Sequence, residues 1–524
     1  MARPRQTNAE KLARALKELY AVTGSDKGVI KGNQLKPVTR TLLLEKGFLR
    51  EVLKGWYFVS DPHADEGDTT PFFANYWEYL AKYLGERFGK DYCLSSADSL
   101  LMHAQCNVIP KQVSINLAVN QCHYQELAHG YSLMMFQSGK LPNEEYIATI
   151  NGLRCMSAEM CLTKLPPTGY HRWAEEVLLL ISTLNDPGIL AGLYEINTAG
   201  ISRIVGAARK IGRTNFADSI VNQLSSAGYK LVETNPFKEA ITYRLSSPNR
   251  SPLYNRIKMQ WEKQRQPVLK HKPDERVKGL SVNEFLDKIE AIKIYDAYHS
   301  LSIERYRVTE DLIKKVESGE WSPEINPEDR KQIDAMAAKG YLDTFKAVKE
   351  AIGSALNEKS HSRVAAEIFS QAHQGWYQLL FKPSVDAGIL QQRDLFGYRR
   401  NRVFLRGSLH SPPHYDYVLD GMEALKECLL TEEDAFVRAV LGHWLFGFIH
   451  PYMDGNGRMA RFTMNLMLTC DEFPWTIIKV DDRQEYMAAL EKASVEQDIE
   501  PFARFISKCI SNSYPKFMQK AENG

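Results

Sequence analysis

Near the start of the chain, Leu12, Leu16, Leu19 and Tyr20 recur at helical spacing behind Asn8, a residue suited to cap a helix. A second short unit surrounds Val29 and Ile30, and Pro37 opens a third helix through Leu42, Leu43 and Leu44 to Gly47. From Phe48 to Val59 the pattern is that of two strands around Lys54-Gly55. Three small helices and a hairpin predict a winged helix-turn-helix over residues 1–60. Residues 61–245 predict a mixed α/β and helical region: 72–87 is aromatic and helical, 92–103 a strand turning into a helix, 113–119 a half-buried strand, and 171–184 and 201–229 helical. Residues 246–280, with four prolines and nine Lys/Arg against three Asp/Glu, read as a basic linker. From 281 to 524 helical patterns dominate, with one hairpin near 402–410. The expected fold class is multidomain and mainly α.

Composition adds bounds. A chain of 524 residues with 44% apolar residues and a net charge of +2 is globular, contains several cores, and is neither disordered nor a basic nucleic-acid coat. No apolar run approaches the roughly 18 residues of a membrane span, and no apolar signal segment follows Met1, so a cytoplasmic location without membrane contact is expected. Charge is uneven: residues 1–60 hold 12 Lys/Arg and 5 Asp/Glu. That excess fits DNA contact through residues 1–60, and it equally fits a small packing domain with solvated cations. Eight cysteines without a C-x-x-C pair are expected to be mostly buried small hydrophobes. His410 and His414 have helical spacing, but Pro412 and Pro413 between them argue against a metal pair.

The densest chemistry is His450-Pro451-Tyr452-Met453-Asp454-Gly455-Asn456-Gly457-Arg458-Met459-Ala460-Arg461. A capping box at Thr431-Glu432-Glu433-Asp434 is expected to start the preceding helix, which buries Val437, Val440, Leu441, Trp444 and Phe448. Pro451 disfavours the α conformation at His450, so that helix ends there and presents an imidazole base in a loop. The glycines allow a tight turn, and the next helix opens near Gly457 or Arg458 with free amides, an anion site suited to phosphates. Arg458 and Arg461, at i and i+3, both reach a polyphosphate, and Asp454 offers a hard oxygen for Mg²⁺. Seven fixed residue types predict fewer than roughly 10⁻⁵ chance matches in a chain of this length.

At these residues the chain resembles the Fic family, whose signature is His-x-Phe-x-Asp/Glu-Gly-Asn-Gly-Arg-x-x-Arg; Tyr452 stands where Phe is usual. The resemblance implies an all-α bundle with a β-hairpin flap over residues 281–524, and transfer of AMP from ATP to a protein hydroxyl. It implies that His450 is the general base, that Asp454 holds Mg²⁺, and that Gly455, Asn456 and Gly457 cradle the α- and β-phosphates. Arg458 would stabilise charge developing there, and Arg461 would grip the γ-phosphate. Residues 398–410, with Val403, Phe404 and Leu405 at the centre, resemble the flap that aligns a target segment. Tyr486 and Ser494 lie in a stretch similar to the adenosine-contacting helix, where many relatives have Asn in place of Ser494. Upstream, Ser300-Leu301-Ser302-Ile303-Glu304-Arg305 resembles the inhibitory helix Ser/Thr-x-x-x-Glu-Gly/Asn, in which the Glu pairs with the second motif arginine, here Arg461.

Residues 1–245 resemble AbiEi-type winged-helix antitoxin and regulator proteins at Gly55-Trp56-Tyr57-Phe58-Val59, at Leu94-Ser95-Ser96-Ala97-Asp98-Ser99-Leu100-Leu101-Met102-His103 and at Ala207-Ala208-Arg209-Lys210-Ile211-Gly212, which implies DNA contact or self-regulation. The leading expectation is an autoinhibited protein adenylyltransferase acting on a Ser, Thr or Tyr hydroxyl of a target protein or of itself. Its alternatives are a DNA-binding regulator whose nucleotide site only senses, and a site that removes AMP. A homodimer controlling access to Glu304 is compatible with the sequence, which specifies no surface for it.

Overall fold

A computed structural model describes residues 7–23, 28–60, 62, 69–119, 122–237, 250–321, 332–358 and 361–518. They divide into two units, Met1–Pro252 with Val403–Ser411, and Leu253–Arg402 with Pro412–Gly524.

The first unit begins with the helix Asn8–Thr23 and a three-stranded sheet of β1 (Val29–Lys31), β2 (Leu49–Leu53) and β3 (Trp56–Val59) in the order β1-β3-β2. Gly55, at φ +84°, takes the hairpin turn that a side chain would strain, and β2 slips register between Glu51 and Leu53. The expected three helices are two: between β1 and the helix Pro37–Glu45 stands only the 3₁₀ turn Gly32–Gln34. The helix Pro37–Glu45 carries one basic side chain, Arg40, which donates to the Gly32 carbonyl at 2.6 Å and lies over the Tyr57 ring. A groove-reading helix needs cations free to reach phosphates and base edges, and this one spends its guanidinium internally.

Past the long aromatic helix Thr70–Phe88 come β4 (Tyr92–Leu94), β5 (Gln112–Leu117), β6 (His123–Glu126) and β7 (Ser132–Gln137), in the order β4-β5-β7-β6 with β5 and β7 parallel. A hairpin follows, β8 (Ile147–Ile150) and β9 (Leu153–Met156), turning at Asn151-Gly152 with both φ positive. The helix expected over 171–184 is broken at Trp173 into Pro167–Arg172 and Ala174–Thr183. The one expected over 201–229 is two, Thr198–Lys210 and Thr214–Ser226, separated at Gly212. Six of the eight cysteines are buried, Cys106 is half-buried and Cys122 exposed.

Residues 246–249 of the expected linker lie outside the described residues. The rest of it is corrected: Pro252–Leu269 is an 18-residue helix. Leu253, Ile257, Trp261 and Val268 enter the core of the second unit. Its polar face is bound as well, because Arg265 clasps Glu432 through two nitrogens at 2.8 and 2.9 Å and the Trp261 indole donates to the same carboxylate. The second unit is a helical bundle whose inner pair, Ala435–Ile449 and Asn456–Thr469, is buried along nearly its whole length. Ala435–Ile449 is apolar on nearly every side, as a helix in the centre of a bundle is.

The expected hairpin at 402–410 is also corrected. Its backbone turns at Arg406-Gly407, with Ser408 N–H donating to the Leu405 carbonyl, yet it builds no ladder of its own. Val403–Ser411 instead groups with the first unit, where His410 forms a single antiparallel bridge with Val108. Among the described residues, no helix is long and apolar enough to cross a membrane.

Candidate active site

The helix Ala435–Ile449 starts from Asp434, whose carboxylate accepts from Val437 N–H at 3.0 Å. The expected capping box is not formed, because Thr431 closes the preceding helix and returns its hydroxyl to the Glu427 carbonyl. At the other end His450 sits in the left-handed region, φ +51° and ψ +61°, one residue ahead of Pro451. Its Nδ1 lies 3.3 Å from the Gly447 carbonyl. A carbonyl can only accept, so this contact assigns the proton to Nδ1 and leaves the Nε2 lone pair free. Burial pushes the imidazole down to about 4, and the Gly447 contact opposes that shift. At neutral pH the ring is therefore an uncharged base.

The loop is closed by Asn456, whose Oδ1 accepts from Tyr452 N–H at 3.0 Å while its Nδ2 donates to the Tyr452 carbonyl at 2.9 Å. The side chain of Asn456 thus serves the turn, and only its amide remains for an anion. Gly455 caps the next helix at φ +77°, and a Cβ there would meet Phe381 at 2.8 Å. The first helical hydrogen bond runs from Met459 N–H to the Gly455 carbonyl, so the amides of Asn456, Gly457 and Arg458 precede it and form an anion cradle.

Arg458 is buried between the rings of Tyr306 and Phe381, at 5.0 and 5.1 Å from their centroids, and one nitrogen stands 3.4 Å from Asp454. Arg461 donates from Nε to the Ser300 hydroxyl at 2.8 Å and from Nη2 to Glu304 at 2.8 Å. Arg458 Nε and Arg461 Nη1 are buried without a hydrogen-bond partner. Unsatisfied guanidinium protons in a buried cradle are the donor set that a polyphosphate satisfies. Asp454, with 65% of its side chain exposed, offers a carboxylate beside Arg458. One carboxylate beside phosphate oxygens suits Mg²⁺, which keeps most of its other ligands as water or substrate oxygens.

Glu304 is the group that fills this cradle. It caps the helix Lys293–Ile303, and a Cβ on Gly457 would come within 2.1 Å of its Oε1, so the carboxylate rests against the first turn of the anion-binding helix. Burial works to raise its pKa, and Arg461 and Arg458 overcome that, leaving it below the ordinary value. The helix end is a Schellman turn, with Tyr306 N–H donating to the Leu301 carbonyl and Arg305 N–H to the Ser302 carbonyl. Arg305 consequently holds φ +69°. This explains the usual Gly or Asn there, since the left-handed region strains a longer side chain by about 1–2 kcal/mol. Arg305→Gly is expected to stabilise the protein by about 1 kcal/mol in urea unfolding and to hold Glu304 more firmly. Equal or lower stability would show that Arg305 makes compensating contacts.

Tyr452 stacks face to face on Tyr377, with centroids 3.7 Å apart and planes 4° from parallel. Its hydroxyl oxygen is buried and without a hydrogen-bond partner. Tyr452→Phe should then raise stability by about 1 kcal/mol in denaturant titration, by removing an unsatisfied polar atom. A loss of that size would mean that the hydroxyl is bound.

The structure brings His450, Asp454, Gly455, Asn456, Gly457, Arg458, Arg461, Ser300 and Glu304 together. Of the others, Tyr486 also faces Arg461. Tyr486 is in the core, its hydroxyl 2.7 Å from His443 Nε2, and the Ser494 hydroxyl accepts from the Trp444 indole at 3.0 Å. Val403, Phe404 and Leu405 belong to the first unit. Tyr306 and Phe381, which sandwich Arg458, were not expected. Tyr306 stands two residues after Glu304, whereas nothing local marks Phe381.

Residues 364–468 match the model of the Fic/DOC family. Over 125 residues the chain is 35% identical to "Protein adenylyltransferase Fic" of Nematostella vectensis, a match covering 23% of this chain and 29% of that one. It is 32% identical over 112 residues to "Protein adenylyltransferase fic-1" of Caenorhabditis elegans, covering 21% and 22%. The matches span less than a third of these relatives' length. Among solved structures, "Fic-1 (aa134 - 508) from C. elegans" aligns with a TM-score of 0.37 and 16% identity, over 69% of this chain and 90% of that one. The second unit carries a Fic domain.

Proposed function

We propose that the second unit is a protein adenylyltransferase that transfers AMP from ATP to a protein hydroxyl and is held in check by Glu304. The carboxylate of Glu304, paired with Arg461 at 2.8 Å and pressed against Gly457, carries the reading. A carboxylate in that position takes the place of a phosphate on the same guanidinium and the same amides.

His450 Nε2 accepts the proton of the target hydroxyl as its oxygen attacks the α-phosphorus in line. The new P–O bond forms while the bond to pyrophosphate breaks, and the leaving charge develops against the amides of 456–458 and the two arginines. Asp454 would hold Mg²⁺, which supplies charge neutralisation at the phosphates. Most of the acceleration in such a transfer is positioning and electrostatics, the two properties this buried loop provides.

The test is incubation of wild type, Glu304→Gly and His450→Ala with α-labelled ATP and Mg²⁺, reading label on the protein and in a cell lysate. Label that rises in the first variant and vanishes in the second supports the reading. A site that removes AMP would instead strip a pre-adenylylated protein and add no label. No label and no removal in any of the three would sink both.

A further inference from the structure

The end of the helix Ala435–Ile449 has a problem that its own sequence cannot solve. Carbonyls in the last turn of a helix need donors, and the common solution takes amides from the two residues after the cap. Here the first of these, the left-handed His450, gives its N–H to the Phe446 carbonyl at 2.9 Å, but the second is Pro451, which has no N–H, and Tyr452 beyond it gives its N–H to Asn456. His450 is nonetheless held in a left-handed conformation that glycine would adopt more readily.

Arg399 supplies the missing donors. This arginine is buried, 5% exposed, and its partners here are all main-chain carbonyls. Nε donates to His450 O at 2.7 Å, Nη1 to Asn401 O at 3.0 Å, and Nη2 to Pro413 O at 2.5 Å, with Ile449 O at 3.4 Å. Its own amide donates to Pro451 O at 2.9 Å. Side chain and main chain of this one residue thus hold the carbonyls of Ile449, His450 and Pro451, and its positive charge sits at the negative end of the helix dipole.

We infer that Arg399 is a positioning residue for the reaction proposed above: by clamping the Ile449 and His450 carbonyls it holds the imidazole with Nδ1 on Gly447 O and Nε2 presented to the target hydroxyl. It touches neither the phosphate cradle nor Glu304, so its effect is on presentation of the base and not on nucleotide binding. The charges that bear on the imidazole are Arg399, which disfavours protonation, and Glu304 and Asp454, which favour it.

Arg399→Gln and Arg399→Lys, each made in the Glu304→Gly protein, test the inference. In Arg399→Gln, kcat is expected to fall about 10- to 100-fold, since a displaced base loses its near-attack geometry, while KM for ATP stays within about twofold. The acid limb of the rate profile should move to higher pH as the neighbouring cation is lost. Arg399→Lys keeps the charge but cannot bridge all the carbonyls, so its acid limb should stay in place while kcat remains low. Unchanged kcat in both variants, or a loss matched by unfolding with the acid limb unmoved, overturns the inference. If the Glu304→Gly parent labels nothing, the proposed reaction has failed and not the clamp. Nitrogen NMR of His450 in the full chain then decides: the Nδ1–H form in wild type with mixed tautomers in Arg399→Lys supports the clamp, and identical spectra overturn it.

Discussion

His450→Ala is expected to lower adenylyl transfer by about 10²- to 10⁴-fold, the contribution of a positioned general base. The fold should survive, because the side-chain hydrogen bond lost with this imidazole is the 3.3 Å one to Gly447 O. Nucleotide binding should survive as well, since the cradle is made of amides and of Arg458 and Arg461. Equilibrium dialysis with labelled ATP in the Glu304→Gly background checks that half of the claim, and single-turnover transfer checks the other. The pH dependence has a definite sign. With the imidazole pushed down to about 4 by burial, the base is already unprotonated at pH 5. The rate should therefore fall only as pH drops through about 4, not through the ordinary histidine range near 6.5. The same shift sets a stability trend, because the unfolded chain binds a proton below about 6.5 that the folded one refuses, and stability declines between those limits. An acid limb at 6.5 in the enzyme without substrate would show that the imidazole is more hydrated than its burial indicates.

Glu304→Gly is expected to raise activity by roughly 5- to 150-fold, the range that a coupling of about 1–3 kcal/mol covers. The carboxylate and a phosphate compete for Arg461 and for the amide of Gly457, and removing one leaves both to the other. Because Arg461 and Arg458 hold Glu304 below its ordinary pKa, the inhibitory charge persists at every pH above that lowered value and fades only as pH falls through it. Glu304→Gln separates charge from shape. It keeps the volume beside Gly457 and loses the ion pair, so an intermediate activation is expected. A Glu304→Gly protein no more active than wild type would mean that the ion pair does not hold the cradle shut in solution.

Much of the site was legible because its chemistry is local. A base that ends a helix, a glycine turn and two arginines at i and i+3 must lie within a dozen residues for one helix N-terminus to serve them all, and residues 450–461 do. Glu304 is 157 positions from Arg461, and only its likeness to a known inhibitory segment linked the two. Other signals were present and were missed or misread. Asn151-Gly152 is a strong two-residue hairpin turn, and the helix Pro252–Leu269 has apolar residues at 253, 257 and 261, one face at four-residue steps, inside a stretch, 246–280, whose nine basic residues and four prolines suggested a linker. The alternation at 402–406 is that of a strand, but strand formation needs a partner ladder, and the one bridge nearby is made beyond it, by His410 with Val108.

By itself the sequence determined which residues could act as base, metal-side carboxylate and anion cradle, since these are chemical identities at short, characteristic spacings within residues 450–461. The tertiary structure alone decided how each is held. Asn456 turned inward to the loop, the Ser494 hydroxyl went to the Trp444 indole, Arg305 was left in a strained turn, and Arg399 was set on the carbonyls behind His450. The physical reason is that a main-chain carbonyl is the same group at every position. A side chain whose partners are carbonyls leaves no matching residue elsewhere in the sequence to reveal it.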